Sequence, residues 1–421
     1  MAKNKTKLLV GILALVGVVI IGGYYFTTQT NMLQGQLRTV TTPKLTMPTE
    51  SANDYSIASG TLSMQQPAAQ VSDQLSVTGA KDVFIGTFKV KATVENFTIK
   101  KLTLTVPEAA ADSVNTVIIE YPTDFANPSN LDGSEEVSLV NNTATFSALS
   151  FAVPKNNDNV IFEVYVTLSE HSDKGGSADT GDAVSITVDL GENAFEAIGQ
   201  DTGKSMNGGD LIVNHPLTTN NVYVFKSVPT ITTEQLGNGN HLIMGLQTEV
   251  FRFKVAANNG GDIALAGLKL RTAYSGILEP TNWEMYLVDA TGDVSLTQDK
   301  GEGIKVGEYV YMNISDDISN WTGTGVYAAQ MIGAGDYETF AVLATIIDNG
   351  IDSGITPTIS VQISADTTAL HNKRGIIQPG SRITGPLAEA GFIWTDQHGS
   401  GKYHNGYNVQ GLPTGFTTLT Q

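Results

Sequence analysis

Two stretches decide the fold: Phe88-Lys-Val-Lys-Ala-Thr-Val-Glu-Asn-Phe-Thr-Ile-Lys-Lys-Leu-Thr-Leu104 and Phe253-Lys-Val-Ala-Ala-Asn-Asn-Gly-Gly-Asp-Ile-Ala-Leu-Ala-Gly-Leu-Lys-Leu270. They align with one residue inserted in the second. Phe88, Val90 and Ala92 match Phe253, Val255 and Ala257; Phe97 and Ile99 match Ile263 and Leu265; Leu102 and Leu104 match Leu268 and Leu270. Apolar residues at every second position mean strands with one buried and one solvated face, as in antiparallel sheets. Both copies also change phase at the same place. The inward set moves from odd to even numbers across Lys100-Lys101, and the equivalent switch falls across Ala266-Gly267. One extra residue between two alternating runs predicts a β-bulge or a strand passing between sheets.

The repeat continues downstream. Val160-Ile-Phe-Glu-Val-Tyr-Val-Thr-Leu168 matches Glu338-Thr-Phe-Ala-Val-Leu-Ala-Thr-Ile346, and Val184-Ser-Ile-Thr-Val188 matches Ile359-Ser-Val-Gln-Ile363. Short runs rich in Val, Ile, Thr, Phe and Tyr, broken by Gly, Asn and Asp, predict an all-β fold of two tandem immunoglobulin-like β-sandwich domains over 67–222 and 223–386. Both are large for that class, so longer loops or extra strands are expected. Two such domains in series make a rod, an architecture of structural and adhesive proteins.

Ahead of them, Lys3, Lys5 and Lys7 precede an unbroken apolar run from Leu8 to Phe26. As a helix it would reach about 28 Å, close to the hydrocarbon thickness of a bilayer. The positive flank stays cytoplasmic, which places the rest outside. Residues 1–29 therefore read as a signal anchor, with a cleaved signal peptide as the alternative. The run exceeds the usual signal length and continues into Tyr24-Tyr25-Phe26, aromatics suited to the membrane interface. No Glu follows Gly22-Gly23 at the spacing of pilin processing sites. Residues 30–66, rich in Thr, Gln and Pro, read as a spacer with too little apolar surface to offset the entropy of ordering.

Composition agrees with export. The 421-residue chain has no cysteine, which excludes disulfides, Cys-type zinc sites and a lipidated N-terminal Cys. Of its 24 Lys and Arg, three lie in the first seven residues, leaving 21 against 42 acidic residues, a formal charge near −21. Such a surface repels nucleic acid and anionic lipid and attracts divalent cations or basic partners.

Residues 387–421 form an aromatic tail, read either as a strand pair capping the second sandwich or as a docking segment. Phe392-Ile-Trp-Thr-Asp396, then Asn405-Gly-Tyr-Asn-Val409 and Gly411-Leu-Pro413, resembles the C-terminal signature of β-rich surface proteins of candidate-phyla-radiation bacteria. In those proteins it follows units similar to Gly86-Thr-Phe-Lys-Val90 leading into Phe97-Thr-Ile-Lys-Lys-Leu102. The resemblance spans most of the exterior chain and implies a surface location, with an S-layer role for some members. His404 stands where the signature has a Trp.

Catalytic chemistry is hard to find. The six histidines are scattered, and no nucleophile elbow, phosphate loop, zinc-protease motif or dinucleotide fingerprint occurs. The sequence thus reads as a non-enzyme. Acidic turns at Asp289-Ala-Thr-Gly-Asp293 and Asp348-Asn-Gly-Ile-Asp352 make Asp289, Asp293, Asp348 and Asp352 the candidate ligands for Ca2+, which takes about six to eight oxygens. Solvated turn carboxylates are the plainer reading. Sequons at Asn96, Asn141, Asn313 and Asn320 are expected by chance in an Asn/Thr-rich chain. The expected function is a structural cell-surface protein, self-associating into a homo-oligomer or S-layer-type lattice and held at the membrane by its N-terminal segment. The alternative is an adhesin binding cell-wall or host glycan through Trp283, Trp321 and Trp394, were they exposed.

Overall fold

The computed structural model describes residues 60–171, 178–213, 217–314, 329–348, 354–373, 387–397 and 402–421. The apolar run 8–26 and the spacer up to residue 59 lie outside them. Among the described residues no helix is long and apolar enough to cross a membrane. The fold is all-β, and residues Ile57–Gln421 form one compact unit.

The first half carries β1 (Thr61–Gln65), β2 (Gln74–Val77), β3 (Val83–Thr93), β4 (Phe97–Thr105), β5 (Val114–Tyr121), β6 (Gly133–Ser138) and β7 (Thr143–Val153). It continues with β8 (Val160–Leu168), β9 (Asp182–Val184), β10 (Thr187–Val188), β11 (Phe195–Gly199), β12 (Ser205–Asn207), β13 (Ile212–Val213) and β14 (Val222–Phe225). The second half carries β15 (Pro229–Thr233), β16 (Gln247–Ala257), β17 (Ile263–Ser275), β18 (Thr281–Val288), β19 (Val294–Val306) and β20 (Tyr309–Asn313). It ends with β21 (Gln330–Ile332), β22 (Tyr337–Thr345), β23 (Thr358–Ile363), β24 (Phe392–Thr395), β25 (His404–Asn405) and β26 (Thr417–Thr420).

In the first half, one sheet runs β13-β1-β3-β8-β5-β6 and another β10-β4-β11-β12, with β7 also on β4. A small sheet, β2-β14-β9, closes one end. Side chains alternate as the sequence predicts: every second residue of β8, from Val160 to Leu168, is buried. Phe88, Phe97, Phe146, Phe151 and Phe162 fill the resulting core. In the second half β19 is long enough to pair with β18 at one end and β20 at the other, joining all its strands into one sheet. Gly303 sits at that crossing, where an added Cβ would stand 2.7 Å from Trp283 Cβ and from Val310 Cγ1. Phe251, Phe253, Phe340, Phe392 and Trp394 fill the second core.

The expected phase breaks are β-bulges. The pairing of β4 with β7 slips between Ile99 and Lys101, and that of β17 with β24 slips between Leu265 and Gly267. All seven aligned apolar positions of each copy are buried.

The register extends the repeat past the boundaries read from sequence. Leu62 and Met64 of β1 pair with Ala92 and Val90, as Pro229 and Ile231 of β15 pair with Ala257 and Val255. Val188 pairs with Leu104 and Ile363 with Leu270. Phe195 and Ala197 of β11 pair with Leu102 and Ile99, as Phe392 and Trp394 of β24 pair with Leu268 and Leu265. Ala197 pairs with Met206 as Trp394 pairs with His404. Val222 pairs with Val184 as Leu419 pairs with Ile359.

Two corrections follow. Thr61–Gln65, placed in the 30–66 spacer, is the first strand of the repeat; its inward Leu62 and Met64 are masked by Thr, Ser and Gln neighbours. The tail 387–421 is not an appendage to 223–386 but supplies the last three strands of the second copy. Its aromatic β24 shows no alternation because it is covered on both faces: Trp394 enters the main core, while Ile393 joins a satellite cluster with Ala264, Ala266, Leu387 and Tyr403.

Candidate functional site

The chain passes from the first core to the second at Phe225, the last residue of β14, whose ring is buried in the second core. Its ring centroid lies 5.0 Å from Trp394, 4.8 Å from His404 and 5.1 Å from His371. Where first-half strands end and second-half strands begin, backbone groups that have lost their ladder partners must be satisfied otherwise. Asp396, just past β24, meets that need. Its Oδ2 accepts from Thr180 Oγ1 and, at 3.0 Å, from Lys226 N; its Oδ1 faces His404 Nε2 at 3.6 Å, too far for a direct hydrogen bond. Both side chains are fully buried.

His404 Nδ1 accepts from Asn372 N at 3.2 Å, which turns Nε2 toward Asp396 and Thr180. Asn372 Nδ2 also donates to Thr180 O. Burial alone would raise the Asp396 pKa, but His404, Thr180 and the Lys226 N–H together hold it below the usual carboxylate range. A second tie lies alongside: Asp73 accepts from Tyr407 Oη at 3.1 Å and its backbone carbonyl accepts from Asn408 Nδ2 at 2.6 Å.

His371 differs from its neighbours. It is 8% exposed, packs edge-on against Tyr223 and Phe225, and neither ring nitrogen has a hydrogen-bond partner among the described residues. Burial, then the nearby His404 and Lys373, push its pKa down to about 3.

A threonine, an aspartate and a histidine in contact invite comparison with a nucleophilic triad. The hydrogen bonding argues otherwise. Thr180 gives its proton to the carboxylate rather than to the imidazole, and all three residues are at most 3% exposed. The constellation ties two cores together with charge-assisted hydrogen bonds.

The candidate calcium ligands are not brought together. Asp289 and Asp293 sit in the turn between β18 and β19, beyond the Leu287–Phe340 pair, whereas Asp348 lies beyond Thr281–Thr345 at the other end of the same ladder. About eight residues of strand separate them, roughly 25 Å. Asp352 lies outside the described residues. Asp289 Oδ1 accepts from Thr291 N, Thr291 Oγ1 and Asp293 N, which holds its carboxyl below the usual range and accounts for the Asp-x-Thr-Gly-Asp pattern by turn geometry. Among the described residues no three His, Asp or Glu side chains converge as a metal cluster.

The platform role required exposed rings, and two of the three are buried. Trp283 and Trp394 are 2% and 0% exposed, core residues whose indole N–H groups donate to Pro280 O and Asn405 O. Trp321 lies outside the described residues. The exposed aromatic on a concave surface is Tyr337, 63% exposed, beside a polar groove of about 540 Å³ lined also by Glu234, Arg252, Lys254 and Asp289. Lys254 Nζ lies 5.1 Å from its ring centroid. Beneath the groove, the buried Arg252 is held by Glu249 in a two-pronged ion pair and donates to Gly292 O.

Sequence reading missed Thr180, His371, Asn372 and Asp396. The sole hint was His404 in place of the expected Trp.

No family model and no curated protein matches the chain in sequence. Among solved structures, the C-terminal domain of the Streptococcus agalactiae AgI/II polypeptide BspA is similar at 11% identity and TM-score 0.19, covering 72% of this chain and 95% of that one. The C-terminal domain of the Streptococcus pyogenes antigen I/II-family protein AspA gives 9% identity and TM-score 0.18, covering 73% and 95%. The full-length RrgB pilus protein of Streptococcus pneumoniae gives 9% and 0.18, covering 81% and 62%. At these scores the likenesses carry no argument about this chain.

Proposed function

We propose that the chain is a structural cell-surface protein built from two tandem immunoglobulin-like β-sandwiches, exported and held by its N-terminal apolar segment, and that it self-associates in the envelope. The observation that carries this reading is the buried tie between the two cores. Two copies of one strand layout are joined by hydrogen bonds from Thr180, Lys226 and Tyr407 and by the ring of Phe225, which fixes one copy on the other. A firm junction suits a protein that carries load or spacing rather than one that closes on a substrate. The buried site offers no entrance for a reactant, which supports a non-enzyme. The resemblance to surface proteins of candidate-phyla-radiation bacteria adds an S-layer-type role, and the acidic surface suits an exterior location. Immunogold electron microscopy of intact envelopes tests it: the label should lie outside the membrane and decorate a continuous or periodic layer. Cytoplasmic label, or isolated molecules without assembly, would refute it.

A second reading, glycan binding, is favoured by the groove beside Tyr337, since an exposed ring among carboxylate and cationic side chains can stack on and hydrogen-bond a sugar. A glycan array with Tyr337→Ala as control decides this: signal lost in the variant supports it, and signal unchanged or absent excludes the groove.

A further inference from the structure

The two copies of the repeat serve as controls for each other: what one holds and the other lacks is not needed to form the sheet. The ladders β16–β22 and β3–β8 run in the same register, with Phe253 opposite Phe340 as Phe88 is opposite Phe162. On the outward side of these ladders Glu249 pairs with Leu343 as Phe84 pairs with Tyr165, and Arg252 with Ala341 as Thr87 with Glu163. The first half packs Phe84 on Tyr165, ring centroids 5.2 Å apart. The second half puts a buried ion pair in the same places, Arg252 with Glu249, their side chains 9% and 8% exposed. Such a pair adds little net stability over apolar packing of the same positions. The sheet does not require it.

Arg252 lies on the floor of the polar groove beside Tyr337. A guanidinium carries five N–H donors. Nε and Nη2 each give one to Glu249 and Nη1 gives one to Gly292 O, so two stay unused among the described residues. Carboxylate and carbonyl together fix the plane of the group. Asp289, on the wall of the groove, is fixed in the same manner. Its Oδ1 accepts three bonds from its own turn, while Oδ2 accepts none among the described residues. Tyr337 is 63% exposed at the same groove. Counted along the matching ladders, Thr87, Thr123 and Asn159 of the first half stand where Arg252, Asp289 and Tyr337 do. The groove is an acquisition of the second copy.

We infer that this groove binds an uncharged pyranose sugar, with its ring on Tyr337 and its hydroxyls between the Arg252 N–H donors and the Asp289 carboxylate. The inference deepens the glycan reading above and rests on it. Charge selects the class. Four carboxylates, of Glu234, Glu249, Asp289 and Glu338, stand against the two cations Arg252 and Lys254, so a uronic acid or sulfated sugar enters against net negative charge. A lysine or arginine side chain from a protein partner suits the carboxylates but offers no acceptor to the two fixed N–H donors, and covering these without a partner is costly. A sugar hydroxyl both donates and accepts, and so satisfies both groups. The groove, about 540 Å³, falls within the range of small-molecule sites, about 300–1,000 Å³. Donors and acceptors already held in place lower the ordering cost of binding.

The full chain, purified in a detergent without a sugar head group, is to be titrated calorimetrically with methyl glycosides of neutral hexoses and N-acetylhexosamines, with methyl glucuronide, and with a lysine-rich peptide. The expected result is saturable binding of at least one neutral glycoside in preference to the other two probes. Tyr337→Ala and Arg252→Lys should each weaken it roughly tenfold or more; the second keeps the charge beside Glu249 but removes the forked donor. Glu249→Phe combined with Arg252→Thr installs the residues of the first half, so thermal unfolding should be retained while binding is lost. Neutral-sugar binding that Arg252→Lys and the double variant leave intact, or that Tyr337→Ala leaves intact, overturns the inference. A glucuronide held more tightly than any neutral glycoside, and lost in Tyr337→Ala, overturns the uncharged class and leaves the glycan reading standing. Binding of the peptide alone, or of no probe, overturns both.

Discussion

His371 provides a measurable test of the junction. An ordinary histidine titrates near 6.5, whereas His371 in the folded protein is pushed down to about 3. The folded state therefore keeps the ring neutral across a range where the unfolded chain binds a proton. Stability from this group is complete above pH 6.5 and declines as the pH falls toward 3. At about 1.4 kcal/mol per pH unit, the loss between pH 7 and pH 4 is about 3 kcal/mol. The groups facing the ring from neighbouring elements are Tyr223 on β14, His404 on β25 and, on its own segment, Lys373; the two basic groups add to the cost of charging it. His371→Phe keeps a flat ring between Tyr223 and Phe225 and removes two buried nitrogens that lack partners. At pH 7 the variant should be as stable as the parent or more so, by up to about 2 kcal/mol. Urea unfolding monitored by the fluorescence of buried Trp283 and Trp394, at pH 7, 6, 5 and 4, gives both quantities. The parent should lose about 3 kcal/mol more than the variant over that range. Parallel pH profiles for the two proteins would show that the ring does not stay neutral in the folded state.

Other expectations rest on separate features. Asp396→Ala leaves Thr180 Oγ1 and Lys226 N without their acceptor and removes the carboxylate facing His404, and should cost about 3–5 kcal/mol. His404→Met, which installs the residue of the first half, should cost less, and the double variant should fall short of the sum by at least about 0.5 kcal/mol; strict additivity in urea unfolding would deny the link. Glu95, 1% exposed, accepts from Gly60 N, Asp201 N, Thr202 N and Thr202 Oγ1. Burial would raise its pKa, but these donors outweigh it and lower it, so its stabilisation is present above the normal carboxylate range and lost as pH drops below it. Glu95→Gln should cost about 2–3 kcal/mol and speed hydrogen exchange at the Asp201 and Thr202 amides; unchanged exchange there would refute the anchoring role. Gly411 has φ +93°, and a Cβ would stand 1.9 Å from Ile231 O, so Gly411→Ala should lower stability by about 2–3 kcal/mol in thermal unfolding. A neutral result would mean that the chain crossing from Gln410 to Ile231 can shift freely.

Much of the fold was legible because alternation and its interruption survive divergence. The Phe88–Leu104 run and its copy announce strand, face and bulge through residue period alone. What escaped did so for identifiable reasons. β1 carries two inward side chains among polar ones, a signal too short to stand out from the spacer. β24 is buried on both faces, so it has no period to read, and its aromatics suggest a tail. The tie at Asp396 was illegible because its partners lie 216 residues away at Thr180 and 170 away at Lys226, and a single sequence does not reveal long-range pairing. Core was the plainer reading of Trp283 and Trp394 in a sandwich, and the packing around them places both there.

The shared bulge has one more consequence. In the first half, three residues, Ala148 to Ser150, fill the gap between the pairs Lys101–Ser147 and Ile99–Phe151, and Ala148 has a φ of +64°. In the second half the same gap, between Gly267–Asn313 and Leu265–Gln330, holds sixteen residues, Ile314 to Ala329. The strands on either side keep their register. A bulge already leaves residues out of the ladder, and lengthening a closed loop costs only about 0.6 kcal/mol per doubling. The bulge is thus a socket, a point where the two sheets differ in length without a change in the register around it. The short version at Ala148 is the natural place to graft an epitope or a reporter.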